Sequence, residues 1–143
     1  MPEVVIRVAE AEDVDSLTEL SRQLGQAVLR DDAQRYLARA PEAGRRLLVA
    51  LLEGQVVGWL EVEARSSLPA GTWAEVTGLV VEKTRQGRGV GSALVGEARR
   101  FARSLGLGML RVRTRIERAQ AARFYEKEGF RLEKQQRVYE LEL

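Results

Sequence analysis

Val81-Glu82-Lys83-Thr84-Arg85-Gln86-Gly87-Arg88-Gly89-Val90-Gly91-Ser92 joins an apolar strand to an amphipathic helix. Three alternate glycines let the backbone approach a ligand and take conformations that a side chain would block. The helix that starts within the stretch offers unpaired N–H groups and the positive end of its dipole. Together these features describe an anion site suited to a pyrophosphate. Arg85 and Arg88 can add charge-assisted contacts.

Three kinds of glycine loop compete for this stretch. A P-loop needs Gly-Lys-Ser/Thr after its second glycine, and that is missing here. The dinucleotide fingerprint needs its third glycine three residues after the second, near the first strand of its domain. Gly87-x-Gly89-x-Gly91 has neither the spacing nor the place. The third pattern, Gln/Arg-x-x-Gly-x-Gly/Ala, is matched in full by Gln86-Gly87-Arg88-Gly89-Val90-Gly91. A tight glycine turn without a ligand is the plain alternative.

Outward from the loop, Trp73 to Val81 reads as a strand whose end, Leu79-Val80-Val81, is apolar on both faces, as a central strand requires. Val90, Ala93, Leu94, Ala98, Phe101, Ala102 and Leu105 share one broad helical face, with Gly106 and Gly108 near its end. Upstream, Val4–Val8 is a short strand. Asp13 is placed to cap a helix carrying Val14, Leu17, Leu20 and Leu24, ended by Gly25. A second helix is expected over Asp31 to Ala40, before Pro41. Arg46–Leu52 and Val56–Val62 form a hairpin around Glu53-Gly54-Gln55, and Arg65–Gly71 reads as a loop. Downstream, Met109–Thr114 is a strand, Ala119–Glu128 a helix stopped by Gly129, and Phe130–Leu132 and Arg137–Leu141 two closing strands. The result is a single domain over 1–143 with a mixed α/β sheet and helices on its faces.

Composition narrows the chemistry. At 143 residues, 45% hydrophobic and 31% charged, the chain suits one globular core. There is no cysteine and no histidine. Disulfides, a thiol nucleophile, the commonest general base and the commonest metal ligand are therefore unavailable. No apolar run approaches the ~20 residues of a membrane span. The opening Met1-Pro2-Glu3 lacks a signal-peptide pattern, so a cytoplasmic location without membrane association is expected. Residues 1–82 hold 8 Lys/Arg and 14 Asp/Glu, and residues 83–143 hold 15 and 7. An acidic half before a basic half suits two ligands of opposite sign, two faces of one site, or differing solvated helix faces. The basic residues are not interleaved with exposed aromatics, so no nucleic-acid partner is expected.

On the loop Gln86–Gly91, the strand before it and the helix within it, the chain resembles the GNAT superfamily of acetyl-CoA-dependent N-acetyltransferases. The resemblance extends to Phe124-Tyr125-Glu126-Lys127-Glu128-Gly129-Phe130 and covers nearly the whole chain. It implies a mostly antiparallel sheet of six to seven strands, splayed between the fourth and fifth. It implies acetyl-CoA as cosubstrate, with no metal. The pantetheine arm would lie along Leu79, Val80 and Val81, and the pyrophosphate on Gln86, Gly87, Arg88, Gly89, Val90, Gly91 and Ser92. Gly78 stands where a bulge could start the splay.

The same resemblance gives Tyr125 the role of acid toward the leaving thiolate. It also points to a carboxylate near the splay, here Glu75, as the base that frees the amine, through a water. Thr77 is a candidate to position that water. The family pattern has Asn seven residues before the tyrosine. Here Arg118 stands there, able to reach a phosphate or to face solvent. Trp59 and Trp73 are either pocket lining or core. The implied acceptor is a primary amine of a small molecule or peptide, a cation given the acidic first half. The implied assembly is a homodimer through an edge carrying Val138, Leu141 and Leu143. A non-catalytic acyl-CoA-binding sensor or regulator is the alternative.

Overall fold

β1 (Val5–Val8) lies antiparallel along β2 (Arg45–Leu52) in the computed structural model of the chain, which describes residues 3–39 and 42–143. β2 forms a hairpin with β3 (Gln55–Ser67), and Leu52 pairs with Gln55, so only Glu53 and Gly54 turn the chain. Both have positive φ, 51° and 79°, the type I′ geometry whose twist suits paired strands. β4 (Gly71–Val81) runs antiparallel to β3, and β5 (Leu110–Val112) joins β4 in parallel. The sheet order is β1-β2-β3-β4-β5. It is mixed and mostly antiparallel, as expected, with five strands in place of six or seven.

Helices cover both faces of this sheet. α1 (Val14–Gln23) lies on one side, where Ser21 accepts a 3.2 Å hydrogen bond from Trp59 Nε1. α2 (Arg30–Ala38) lies on the same side, where the Tyr36 hydroxyl donates to the Glu61 carboxylate. α3 (Val90–Ser104) covers the other side; a Cβ on Gly58 would stand 3.2 Å from Val90 and 3.4 Å from Leu94. Leu60, Val62, Leu94 and Val95 are fully buried between the sheet and α3. Each such side chain contributes roughly 1.5–3 kcal/mol of transfer free energy.

The chain divides into two compact units, Met1–Val112 and Arg113–Leu143. The second contains α4 (Ala119–Lys127), which ends in a Schellman motif. Phe130 N–H donates to the Tyr125 carbonyl and Gly129 N–H to the Glu126 carbonyl, at 3.0 and 3.1 Å. Gly129 takes φ 99°, where a side chain would be strained. The rings of Tyr125 and Phe130 meet edge to face at 5.6 Å. The spacing Tyr125-x-x-x-Gly129-Phe130 is thus a helix stop with its hydrophobic contact.

Four expectations are corrected. Arg65–Ser67 belong to β3, and the loop shrinks to residues 68–70, because their backbones pair with Gly71–Trp73. The strand expected over Met109–Thr114 is Leu110–Val112, the length over which β4 offers a partner. Among the described residues, Phe130–Leu132 and Arg137–Leu141 form no strand. A strand exists through its ladder, and here Val138 and Leu141 remain 84% exposed. Asp13 makes no forward cap. Its carboxylate turns back to the Glu10 N–H at 2.7 Å and to the two Arg7 Nη atoms at 2.7 and 2.9 Å, a bidentate pair that outcompetes a single cap bond. The second helix ends at Ala38, and Ala40 and Pro41 lie outside the described residues. Among the described residues, no helix is long and apolar enough to cross a membrane.

Candidate active site

β4 is long and β5 is short, and that mismatch creates the site. β5 pairs with Ala74, Glu75 and Val76 only. From Thr77 to Val81 that edge of β4 has no strand partner among the described residues. Ala74 N–H donates to the Met109 carbonyl on the β5 side at 2.9 Å, whereas Glu82 N–H donates to Val57 on the β3 side at 2.8 Å. Both residues are even-numbered, so the strand changes parity between them. The change falls at a bulge: Glu61 pairs with Gly78 and Val62 with Val76, leaving Thr77 as the extra residue. Counting back from Glu82, Val81 and Leu79 present their backbone groups to the open edge. Val80 turns its backbone toward β3 and buries its side chain. The expected bulge is present, and the expected splay is replaced by an early end of β5 at Val112. A Cβ on Gly78 would stand 2.6 Å from the Trp59 ring, so only glycine fits beside that indole.

The glycine loop begins where this edge ends. After a 3-10 turn at Lys83–Arg85, Gln86 folds back and its Nε2 donates to the Val81 carbonyl at 3.1 Å. Gly87 and Gly89 take φ 80° and 83°, and α3 starts at Val90. A Cβ on either glycine would meet nothing within 4 Å, so the space before the backbone is open. Such a cradle fits a phosphate brought against main-chain N–H groups at a helix start. Arg88 is exposed beside it, and Arg85 pairs with Glu82 at 3.5 Å. Val90 is buried under the sheet and anchors the helix start.

Glu75 is 3% exposed, inside the sheet face that α1 and α2 cover. Arg65 Nη1 donates to its Oε2 at 2.7 Å, and Trp73 Nε1 donates to its Oε1 at 3.2 Å. Arg65 also donates to Glu63 at 2.8 Å, and Arg45 lies 3.4 Å from the other Glu63 oxygen. Glu61 has different company: its two oxygens accept from the hydroxyls of Tyr36 and Thr77, the latter at 2.5 Å. Burial and the Glu61 carboxylate push the Tyr36 phenol upward, which keeps it a donor. Trp73 is buried beneath Arg111, whose guanidinium stands 4.7 Å from its ring centroid, and Trp59 is half-buried under α1.

Sequence reasoning missed Tyr36, Glu61 and Arg65 as site residues. Strand alternation from Trp59 puts Glu61, Glu63 and Arg65 on one face, a signal hidden by reading Arg65 as loop. In the second unit, burial raises the Tyr125 phenol above its ordinary value, and the Arg118 guanidinium opposes the shift.

A profile of the Acetyltransferase (GNAT) family matches residues 12–130. The aminoalkylphosphonate N-acetyltransferase of Salmonella typhimurium is 32% identical over 134 residues, 92% of this chain and 87% of that protein. A protein from Bacillus halodurans described as a transcriptional regulator superposes with a TM-score of 0.81 at 25% identity, over 97% of this chain and 100% of that one. The aminoglycoside N-acetyltransferase AAC(6')-Iy in complex with CoA superposes with a TM-score of 0.87 at 17% identity, over 100% and 97%. The last likeness is one of fold.

Proposed function

The chain belongs to the acetyltransferase (GNAT) family, whose members use acetyl-CoA, and on that premise we propose that it moves an acetyl group to the primary amine of a small molecule or peptide. One observation carries the reading: the open edge at Leu79 and Val81 runs directly into the glycine cradle, tied to it by Gln86. An extended pantetheine arm would add to that edge like a strand, with Val80 at its back. The backbone of Gly87, Arg88, Gly89, Val90, Gly91 and Ser92 would hold the phosphates. Residues 1–143 act as one domain in this reading.

The thioester supplies an activated acyl group, and this chain's residues manage protons and orientation around it. Glu75 is the proposed base. Arg65 and Trp73 fix its carboxylate, and a water would carry the amine's proton to it. Tyr125 is the proposed acid for the departing thiolate. Its raised value keeps the phenol protonated.

The Salmonella relative's name supports small cationic acceptors of the aminoalkylphosphonate kind, and the fold likeness adds aminoglycosides to the screen. The proposed setting is the cytoplasm. The proposed assembly is a homodimer that covers Val138, Leu141 and Leu143, which are 84%, 84% and 114% exposed. Sedimentation at tens of micromolar should give twice the 16.0 kDa of the chain, and a monomer refutes the dimer.

A second reading, an acyl-CoA-binding sensor without turnover, is favoured by the name of the Bacillus neighbour. The test is an amine screen with acetyl-CoA that follows release of the CoA thiol. Release with an amine supports the enzyme. A thermal shift with acetyl-CoA but no release across the screen supports the sensor.

A further inference from the structure

We propose that Glu61 is the carboxylate that receives the acceptor's ammonium group; this rests on the acetyltransferase reading above. Three carboxylates share the sheet face under α1 and α2, and their charges are not equally compensated. Glu63 lies between Arg65 and Arg45, and Glu75 is buried against Arg65. Glu61 has no ion pair among the described residues, and its carboxylate oxygens accept from the neutral hydroxyls of Tyr36 and Thr77. Arg45 lies near, with its guanidinium 5.4 Å from the Tyr36 ring centroid, and its charge acts on Glu61 through space, but its ion-pair partners are Glu42 and Glu63.

Two hydroxyls give a carboxylate hydrogen bonds but no opposing charge. Two oxygens offer about four lone-pair sites, so hydrogen-bonding capacity remains after Tyr36 and Thr77 are served. An ammonium, with three donors and a charge, is the group that completes such a carboxylate. Tyr36 and Thr77 hold the carboxylate in one orientation, which lowers the entropy lost on binding.

Glu61 is half-buried and pairs with Gly78 across the bulge. Thr77 is the bulged residue, exposed at the point where β4 loses its β5 partner. The carboxylate without an ion pair therefore stands at the lip of the open edge, whereas the carboxylate of Glu75 lies covered within the sheet face. The two divide the work. Glu61 selects and holds the protonated amine, and the proton leaves by the route given to Glu75. Glu61 is thus a specificity-determining residue, and it favours cationic primary amines over neutral acceptors.

The test is calorimetric titration of n-butylamine and of 2-aminoethylphosphonate into the protein saturated with coenzyme A, where no transfer can occur. Glu61→Gln should raise the Kd of both amines roughly 10- to 100-fold, as loss of a charge-assisted hydrogen bond requires. Its coenzyme A affinity should stay within about two-fold, and in steady state the acceptor KM should rise while the acetyl-CoA KM does not. Wild-type Kd and KM values in Glu61→Gln overturn the proposal. Should Glu61→Gln not fold, Glu61→Asp decides. Shortening the side chain by one methylene should raise the amine Kd several-fold, and an unchanged value overturns the assignment. Failure of the native protein to bind coenzyme A or acetyl-CoA would sink the acetyltransferase reading itself. Native binding and turnover with an indifferent Glu61→Gln would sink only the role of Glu61.

Discussion

Arg65 Nη1 reaches across from β3 to donate to Glu75 Oε2 at 2.7 Å. The bond links the proposed base to a residue that local sequence reads as loop. It gives Glu75 one fixed orientation, with Trp73 Nε1 on the other oxygen. Because the pair is half-exposed on the Arg65 side, its stabilising effect is moderated by solvent.

Glu75→Gln should lower turnover by roughly ten- to a thousand-fold, the range of a lost general base. Acetyl-CoA affinity should stay nearly unchanged, since Glu75 faces away from the glycine cradle. Steady-state transfer to the best amine checks this, alongside melting curves that confirm the fold. Wild-type turnover across pH 6–9 would move the role to water or Thr77.

Gly89 and Gly91 should respond differently to side chains. Gly89 has φ 83°, so Gly89→Val strains the apo protein as well as filling the cradle. Gly91 lies within α3, where Gly91→Ala should raise apo stability by roughly 0.5–1 kcal/mol. Gly89→Val should weaken or abolish the rise in Tm that acetyl-CoA causes by mass action, whereas Gly91→Ala, which the Gly/Ala end of the pattern admits, should keep it. A higher apo Tm with an intact acetyl-CoA shift in Gly91→Ala, beside a lost shift in Gly89→Val, would separate folding from binding. An undiminished shift in Gly89→Val overturns the cradle.

Tyr125→Phe keeps ring packing against Phe130 and removes one hydroxyl. Turnover should fall on the order of ten- to a thousand-fold, with less change in acetyl-CoA binding. Burial raises the phenol above its ordinary value, with Arg118 opposing, so its donor form persists past the ordinary phenol range. Any alkaline loss of rate caused by Tyr125 must lie above it and vanish in Tyr125→Phe. The shift has a matching stability term, present below the ordinary phenol value and lost as pH rises through the folded one. Normal turnover in the mutant would make Tyr125 structural.

Asp13 has its value lowered from 3.8, first by the Arg7 hydrogen bonds, then by the Glu10 N–H, with burial opposing. A depressed carboxylate contributes stability above its unfolded value and loses it as pH falls through the folded one. Asp13→Asn should therefore lower Tm at pH 7 and flatten its fall below about pH 4. Parallel Tm curves for both proteins in that window would remove the Arg7–Asp13 pair from the acid response.

Features with a local cause were legible in the amino-acid order alone. Alternate glycines after an apolar strand made the cradle legible, because Gly87 and Gly89 need positive φ whatever surrounds them. Gly129-Phe130 encoded its own helix stop, and Glu53-Gly54 its own turn. Features that depend on a distant partner came from the fold. Arg65 became strand because Trp73 lies opposite. Arg137–Leu141 did not, because alternation without a neighbour makes no ladder. The bulge at Thr77 reversed the parity of β4 and turned Leu79 and Val81 to the open edge. Nothing near Glu61, Glu63 or Glu75 in sequence distinguishes their charges. Only the fold put Arg45 and Arg65 against two of them and hydroxyls against the third.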